Sequence, residues 1–295
     1  MVFPANDVAM PLELYRKWER QYWRAHSIDF AGDRRDWLRL TDHERWQWYW
    51  LAGFAHFRQS ESDAVIALAK LLPHLRLAEQ QYAVAAQIAD EGRHAFFFKR
   101  FHDEVVITAL PSAALDSVTI SPVYQNLFVD SMTATLEKAI AQPTQVNLAA
   151  VVFHFFIILE GCVGLASFAV IRRLLTKTKL FPGLLEGITH ANRDEMRHVQ
   201  LGIVLLKDMF EREPAAIDST EAYLQTLLPL ISDLMRVRPD RKAVLESLDI
   251  NPFERRRRAF DLLRRHLKTL GIDEGVVKPW AAYAVSDDAC YRSGP

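Results

Sequence analysis

The sequence predicts an all-α protein: a four-helix bundle core with additional N- and C-terminal helices. Half of the 295 residues are hydrophobic, enough for a sizeable core. No convincing run alternates apolar and polar residues as a strand does, whereas several long apolar runs have helical character. Two of these runs carry the same five-residue motif, Asp-Glu-x-Arg-His, at Asp90–His94 and at Asp194–His198. This repeat is the strongest single indication of how the helices are arranged.

The motif predicts a metal site because of its spacing. On an α-helix the Glu and the His, three residues apart, are separated by about 300° of rotation and about 4.5 Å of rise, so both leave the same face. A carboxylate oxygen and an imidazole nitrogen can then bind one ion. Two such helices, each matched with a helix that supplies one further carboxylate, form the dinuclear site of ferritin-like bundles. Two copies that share the Asp and the Arg favour this interpretation over a surface salt-bridge layer.

Composition narrows the function classes. The formal net charge of −1 gives no electrostatic case for nucleic acid. Two cysteines, Cys162 and Cys290, predict no disulfide framework and fit a cytoplasmic location. The N-terminus has no basic region followed by an apolar stretch, so we expect no signal peptide. The most apolar run, residues 148–170, carries His154 and Glu160, and we predict a buried helix there and no membrane span.

Punctuating residues predict the order of the elements. Thr41 and Glu44 form a capping box, Ser121-Pro122 opens a helix, and Gly271 ends the last one. Residues 28–37 are interpreted as a connecting segment. The predicted helices span residues 11–26, 42–72, 75–106, 145–177 and 184–212, besides the one that starts at 121. We expect one domain over residues 1–295, with the core at about 42–212, C-terminal helices at about 217–271 and a tail at 272–295.

The basic run Glu254–Lys268 has apolar residues at helical spacing, among them Phe260, Leu263 and Leu267. This pattern predicts an amphipathic helix whose arginines form a solvated face. A membrane or acidic-partner surface is the alternative interpretation.

Two further carboxylates are needed to complete the metal site. Glu160 is the single acidic residue of the apolar helix, where a carboxylate is costly to ionise unless it is paired or bound to metal. On the helix at 42–72 the candidates are Glu61 and Asp63. Glu61 shares an apolar stripe with Phe57 and Leu68, whereas Asp63 is turned about 200° away from Glu61. We choose Glu61 and keep Asp63 as the alternative.

Four carboxylates and two imidazoles suit iron or manganese, and four carboxylates neutralise two divalent ions. The predicted ligands are Glu61, Glu91, His94, Glu160, Glu195 and His198. Asp90 and Asp194 are proposed as hydrogen-bond acceptors that orient the imidazoles. Arg93 and Arg197 either pair with those aspartates or form surface salt bridges.

With these residues assembled, the chain resembles the ribonucleotide reductase small-subunit superfamily, and within it the small-subunit-like ligand-binding oxidases. The resemblance extends from about Pro11 to Leu206 and includes Gln21–Arg24, Ile28–Phe30 and Asp36-Trp37. It implies a ferritin-like fold, an Fe/Fe or Mn/Fe cofactor, dioxygen as co-substrate and a small-molecule or fatty-acid-like ligand in a hydrophobic pocket. It also implies an external electron donor and a homodimer. Trp23 and Asp194 are similar to the residues that pass an electron toward the ligand matched here by His94.

The chain departs from these families at two aromatic positions. Phe98 stands where reductase subunits usually carry the radical tyrosine. Phe155 stands where the ligand-binding oxidases have a tyrosine cross-linked to a valine, so we expect no cross-link. The valine position is Asp63 if Glu61 is the ligand, and Val65 if Asp63 is. The residues expected to line the pocket are Phe98, Phe155, Phe156 and Gly164.

The predicted function is an oxygen-activating dinuclear oxidase or monooxygenase that acts on an apolar or small organic substrate. One alternative is a radical-generating reductase subunit, for which Tyr283 or Tyr291 in the tail could relay an electron. A second is an aryl-amine N-oxygenase-like enzyme, but His190, five residues before Glu195, is poorly placed as the added ligand. A bundle that binds metal without turnover is the third.

Overall fold

A computed structural model describes residues 9–110, 115 and 121–281, and the regular structure in this part of the chain is helical throughout. Short 3₁₀ turns follow several helices, and a last helical turn covers Lys278–Ala281. The helices are α1 (Ala9–Arg20), α2 (Ala31–Arg39), α3 (Asp42–Leu51), α4 (Phe54–Leu71), α5 (Ala78–Glu104), α6 (122–141), α7 (Gln145–Thr178), α8 (Pro182–Arg212), α9 (Ala215–Leu234), α10 (Pro239–Ser247) and α11 (Glu254–Leu270). The all-α prediction is confirmed.

Four long helices form the core. Helix α4 packs against α5, α7 packs against α8, and α5 contacts α8, which closes a four-helix bundle. Helix α1 covers α5 and α8 at one side, while α9 and α11 cover α7 at the other. The two motif-bearing helices, α5 and α8, are therefore neighbours. Each has a partner in the bundle that carries one of the predicted additional carboxylates, as a dinuclear site requires.

Local sequence signals place several of the helix ends. The Thr41 hydroxyl accepts a hydrogen bond from the Glu44 backbone N–H, and the Glu44 carboxylate accepts one from the Thr41 N–H at 2.7 Å. The Ser121 and Thr144 hydroxyls cap α6 and α7 in the same way. Gly271 ends α11 in the left-handed conformation, with φ of 76°. The predicted capping box, the helix start at Ser121 and the glycine stop are confirmed.

The predicted helix at 42–72 is wrong in one respect, because it is two helices. The chain turns at Gly53, whose φ of 71° is in the left-handed region that glycine tolerates best. A Cβ atom at this position would also lie 2.7 Å from the Phe57 ring. The chain therefore breaks at Gly53 between α3 and α4.

Residues 28–37 were predicted to be a connecting segment, but most of this stretch is helical, within α2. The reason lies elsewhere in the chain. The Asp33 carboxylate accepts hydrogen bonds from the backbone N–H groups of Gly183 and Leu184, and Asp36 accepts one from Phe181. These contacts satisfy donors that the first turn of α8 would otherwise leave unpaired. In the same region, the helix predicted for 11–26 ends at Arg20.

Helix α7 is the buried helix that the sequence predicts. It has 34 residues and is long and apolar enough to cross a membrane, but 89% of its most apolar window is buried inside the protein. Its middle, Phe153–Gly164, is π-helical and contains Glu160. The free thiol of Cys162 is buried here and donates to the carbonyl oxygen of Ala259 at 3.4 Å. Cys290 lies outside the described residues.

Helix α11 corrects the prediction for the basic run. Its apolar face is buried as predicted, and Arg257, Arg258, Arg264 and Arg265 are exposed. Arg256, however, is fully buried, and its guanidinium donates to the Ser232 hydroxyl at 2.8 Å. The arginines of α11 therefore do not form one solvated face.

His154 predicts a pH dependence of stability. Its ring is fully buried, its Nδ1 lies 2.7 Å from the Tyr223 hydroxyl, and burial lowers its pKa from 6.5 to about 4. As the pH falls, the imidazole is therefore protonated in the unfolded chain before it is protonated in the folded protein. The free energy of unfolding consequently decreases as the pH falls from about 6.5 toward 4. Between pH 7 and pH 5 we expect the free energy of unfolding to fall by roughly 2 kcal/mol more in the wild type than in His154→Gln. Urea unfolding at the two pH values measures this, and equal losses in both proteins would contradict it.

Candidate metal centre

The six side chains predicted as ligands converge in the middle of the bundle and are all buried. They form two overlapping groups, and within each group one oxygen or nitrogen atom per residue lies within 4.8 Å of all the others. Glu91 and Glu195 belong to both groups. The first group adds Glu61 and His94, and the second adds Glu160 and His198. Two ligand groups that share two carboxylates are the arrangement of a carboxylate-bridged dinuclear site.

Both imidazoles point the same nitrogen at the shared carboxylates. His94 Nδ1 lies 3.4 Å from a Glu195 oxygen and 3.5 Å from a Glu91 oxygen. His198 Nδ1 lies 3.2 Å from Glu91 and 3.5 Å from Glu195. These distances leave space for an ion between each ring and the carboxylates.

The other ring nitrogen of each histidine faces an aspartate of the opposite motif. His94 Nε2 lies 3.3 Å from Asp194, and His198 Nε2 lies 3.0 Å from Asp90. A carboxylate acceptor places the proton on Nε2 and leaves the Nδ1 lone pair free for a metal. The aspartates therefore lie where the sequence predicts acceptors that orient the imidazoles. Asp194 of α8 orients His94 of α5, and Asp90 of α5 orients His198 of α8.

A buried ion-pair network fixes the two aspartates. Arg93 donates to Asp90 and, at 3.1 Å, to Asp194. Arg197 likewise donates to Asp90 and, at 3.1 Å, to Asp194. The side chains of both arginines are less than a tenth exposed. They therefore hold the aspartates together across α5 and α8, and the surface salt-bridge interpretation of these arginines is wrong.

Each aspartate also receives an indole hydrogen bond. Trp23 Nε1 donates to Asp194 at 2.7 Å, as the resemblance implies. Trp18 Nε1 donates to Asp90 at 2.7 Å, and this residue was missed from the sequence. The near-twofold similarity of the two motifs is the signal that could have found it, because a partner for one aspartate implies one for the other.

Gln87 is a second residue that sequence reasoning missed. Its side-chain amide donates to Glu160 at 2.8 Å and to Glu91 at 3.3 Å. Gln87 lies one helical turn before Glu91 on α5, so its position on the ligand face could have been read from the spacing. The amide holds the carboxylates of two different helices close together.

The pKa shifts of the clustered carboxyl groups indicate that the site would favour bound cations. Burial raises the pKa of Glu61 and Glu160 well above the usual range, and the carboxylates of Glu91 and Glu195 add to it. Burial alone would raise the pKa of Glu91, but the imidazoles of His198 and His94 hold it well below its usual range. Negative charge is thus crowded into a buried space. Ions bound here would displace protons from the raised groups.

Buried polar atoms that lack a hydrogen-bond partner indicate whether metal ions fit this site. Among the described residues, His94 Nδ1, His198 Nδ1 and Glu160 Oε2 are buried and have no hydrogen-bond partner. Buried polar atoms are normally paired, so these three atoms indicate missing partners. Neither ligand group contains a thiolate. Carboxylates with imidazoles suit iron or manganese, so the side chains present fit the two ions that the sequence predicts.

Glu61 and Asp63 occupy different positions. Glu61 belongs to the first ligand group, whereas Asp63 lies outside both and accepts a hydrogen bond from Gln59 at 2.8 Å. We expect Glu61→Gln to lower the metal content from two ions per chain to one, since Glu61 contributes to one group alone. Asp63→Asn is the matched control and is expected to retain both ions. Elemental analysis by mass spectrometry measures this, and the opposite result would make Asp63 the ligand.

A cavity of about 180 Å³ opens beside the cluster. Phe155 and Gly164 line it, as expected, together with the four carboxylates of the two ligand groups. The other two residues expected there are placed differently from the prediction, because their rings pack within the core. Phe98 stacks on the Phe57 ring at 4.9 Å, and Phe156 packs against Gly202 on α8.

Tyr124 and His190 are two further titratable side chains, and neither belongs to a ligand group. Tyr124 lines the cavity, and burial raises its pKa, so the hydroxyl stays protonated. His190, considered as an added ligand, instead stacks on the Trp23 ring at 5.1 Å and belongs to neither ligand group.

Comparisons with known proteins agree with this architecture. Among solved structures, a variant of an R2-like ligand-binding oxidase with an anaerobically reconstituted Mn/Fe cofactor aligns with a TM-score of 0.73 and 24% identity. The alignment covers 90% of this chain and 94% of that one. A second variant of such an oxidase, with its Mn/Fe cofactor reconstituted aerobically, aligns with a TM-score of 0.77 and 21% identity, covering 90% and 93% of the two chains. These likenesses confirm the ferritin-like fold.

Sequence comparison goes further than the fold. The family model described as ribonucleotide reductase, small chain, matches residues 3–233. This match includes every residue of the two ligand groups and well over half of the chain, as the resemblance in the sequence implied. The chain belongs to the ribonucleotide reductase small-chain family.

Proposed function

We propose that this protein is an oxygen-activating dinuclear metal oxidase, with an Fe/Fe or Mn/Fe cofactor, that oxidises an apolar or small organic substrate. The observation that carries the proposal is that the carboxylates of both ligand groups line the cavity. Four of its lining residues are Glu61, Glu91, Glu160 and Glu195. The solved neighbours, which are R2-like ligand-binding oxidases with Mn/Fe cofactors, support it.

In this proposal Glu61 and His94 would hold one ion, Glu160 and His198 would hold the other, and Glu91 and Glu195, which belong to both ligand groups, would contribute to both. When bound, the two metals supply the electrons and the open coordination positions by which dioxygen is reduced and a substrate bond is oxidised. An external electron donor, which the resemblance implies, is also part of the proposal. A homodimer, which the resemblance implies, is part of the proposal.

The protein's own residues prepare the site in two ways. Asp90 and Asp194 fix the imidazoles with Nδ1 toward Glu91 and Glu195, so the ligands would need little reorganisation when ions bind. The apolar part of the cavity lining, including Phe57, Phe155 and Leu159, excludes bulk water that would quench an oxidant.

A radical-generating reductase subunit is the second candidate, and Phe98 weakens it. No phenol stands at that position to carry the radical, and the ring is packed against Phe57. The relay tyrosines Tyr283 and Tyr291 lie outside the described residues. A pull-down with a reductase large subunit tests this candidate directly. An aryl-amine N-oxygenase is disfavoured because His190 is engaged with Trp23.

The test is anaerobic loading with ferrous iron and Mn²⁺, followed by exposure to air. We expect two metals per chain, uptake of dioxygen and an electron paramagnetic resonance spectrum of two coupled metals. Loaded and reduced protein that consumes no dioxygen would contradict the oxidase and support a metal-binding bundle without turnover.

A further inference from the structure

A chain of aromatic rings connects the second ligand group with the protein surface. Trp18 Nε1 donates to one oxygen of Asp90 at 2.7 Å, and the other oxygen of Asp90 lies 3.0 Å from His198 Nε2. From Trp18 the chain continues to Tyr15, with 5.5 Å between the ring centroids, and from Tyr15 to Tyr82, with 6.4 Å between them. The Tyr82 side chain is 53% exposed, so the chain ends in solvent.

Helix α1 positions the inner members of this chain. Tyr15 and Trp18 are three residues apart and leave the same face of α1, which packs against α5. Trp18 is partly buried and lines a small cavity of about 10 Å³ together with His198, so its indole lies close to the imidazole as well as to Asp90. Tyr82 lies on α5, eight residues before Asp90, which is about 12 Å along the helix.

The chain is separate from the large cavity beside the carboxylates. The described lining of that cavity comes mainly from α4 and α7 and includes none of Tyr15, Trp18 and Tyr82. Helix α1 instead packs on α5 and α8. An electron that moves along the rings therefore does not cross the space in which a substrate would lie.

The matching indole of the other motif, Trp23, has different neighbours. Its ring contacts in the described structure are with His94 at 6.1 Å, Phe97 at 5.9 Å and His190 at 5.1 Å. Phenyl and imidazole rings are much harder to oxidise than phenol or indole, so these contacts do not extend a path of oxidisable rings. Of the two indoles, Trp18 is the one whose ring contacts lead to an exposed tyrosine.

The chemistry of indole and phenol determines what such a chain can transfer. Both rings are very difficult to reduce, but both lose one electron to a strong oxidant. A chain made of them therefore moves oxidising equivalents outward and does not relay electrons by being reduced. An oxidising equivalent that no substrate consumes would otherwise react with the side chains around the ligand groups.

We propose that Trp18, Tyr15 and Tyr82 form a redox chain that carries an unused oxidising equivalent from the second ligand group to the surface, where a thiol removes it. This role rests on the proposed oxidase function, because it needs an oxidised metal centre. It concerns what happens when the cavity holds no substrate.

The transfer consists of single-electron steps. Trp18 gives one electron to the oxidised centre by way of Asp90 and His198, and Tyr15 replaces that electron. Tyr82 then replaces the electron of Tyr15. Each tyrosine releases its phenolic proton to water when it is oxidised and takes up a proton when it is reduced again. The phenoxyl radical of Tyr82 takes a hydrogen atom from a thiol, and two thiyl radicals join as a disulfide. In sum, each thiol supplies one electron to the centre and one proton to water.

The test locates the radical in the protein. Protein loaded anaerobically with ferrous iron and Mn²⁺ is exposed to air without substrate or thiol, in the presence of a nitrone spin trap, and its peptides are analysed by mass spectrometry. We expect the nitrone adduct on Tyr82, and we expect an added thiol to remove it. Tyr22 is the internal control. Its side chain is 58% exposed, so radicals formed in solution would label Tyr22 as readily as Tyr82.

Two phenylalanine variants test the order of the chain. Tyr82→Phe is expected to leave the oxidation on Tyr15, and Tyr15→Phe to leave it on Trp18, with no adduct on Tyr82 in either variant. Both substitutions keep the ring and remove only the hydroxyl, so both variants are expected to bind two metal ions per chain, which elemental analysis checks. A purely structural role for these rings would not move the site of oxidation.

The possible results separate the redox chain from the oxidase function. Dioxygen uptake without an adduct on Tyr82, or with equal labelling of Tyr22 and Tyr82, would overturn the redox chain and leave the oxidase in place. An adduct on Tyr82 that persists in Tyr15→Phe would also overturn it. The same holds if the adduct persists when Glu91 and Glu195 are both replaced by glutamine, because the radical would then come from free iron. Loaded protein that takes up no dioxygen would overturn both proposals.

Discussion

Replacing Glu91 and Glu195 together by glutamine is expected to abolish binding of both metal ions. These are the two residues shared by both ligand groups, and glutamine keeps their shape while removing the negative charges. Each group then retains one carboxylate and one imidazole, too few ligands to hold an ion against water. Elemental analysis should show two ions per chain in the wild type and none in the double variant.

Thermal unfolding gives an independent measure of the same effect. A ligand present at about 1,000 times its dissociation constant stabilises the folded state by roughly 4 kcal/mol. We therefore expect Mn²⁺ to raise the melting temperature of the wild type and to leave that of the double variant unchanged. Glu186→Gln, an exposed position on α8, is the control and is expected to keep both the ions and the shift. Two ions per chain in the double variant would mean that the repeated motif does not hold them.

The candidate site was predictable to the extent that helical periodicity determines which residues share a face. The spacing within each motif puts Glu91 on one face with His94 and Glu195 on one face with His198. The cost of ionising a lone carboxylate in hydrocarbon identified Glu160. Periodicity also favoured Glu61, which the structure puts in the first ligand group.

What could not be predicted depends on contacts between distant residues. Helix α2 forms where its aspartates meet the first turn of α8, about 150 residues away. Arg256 is buried because Ser232, on another helix, accepts its hydrogen bond. Arg255 lines the cavity because α11 packs along α7. A local pattern of arginines looks the same whether its partners are water or a neighbouring helix.

The spacing between α7 and α8, which carry the second ligand group, is set by a glycine. A Cβ atom at Gly202 would lie 2.2 Å from the Phe156 Cβ and 2.7 Å from its Cγ. No rotation of Phe156 moves its Cβ away, so Gly202→Ala forces the two helices apart. Overpacking of this kind in a core typically costs about 3 kcal/mol, which we expect Gly202→Ala to lose in urea unfolding.

The same displacement should weaken the metal centre, because Glu160 lies on α7 while Glu195 and His198 lie on α8. In a titration with a chelator, we expect Gly202→Ala to lose the ion of the second ligand group before the ion of the first ligand group. Gly92→Ala is the matched control, since a Cβ there meets no atom within 4 Å in the middle of α5. Alanine is the better helix former, so this variant should be more stable than the wild type by about 0.5–1 kcal/mol. If Gly202→Ala is stabilised as Gly92→Ala is, the close approach of α7 and α8 does not position the second ligand group.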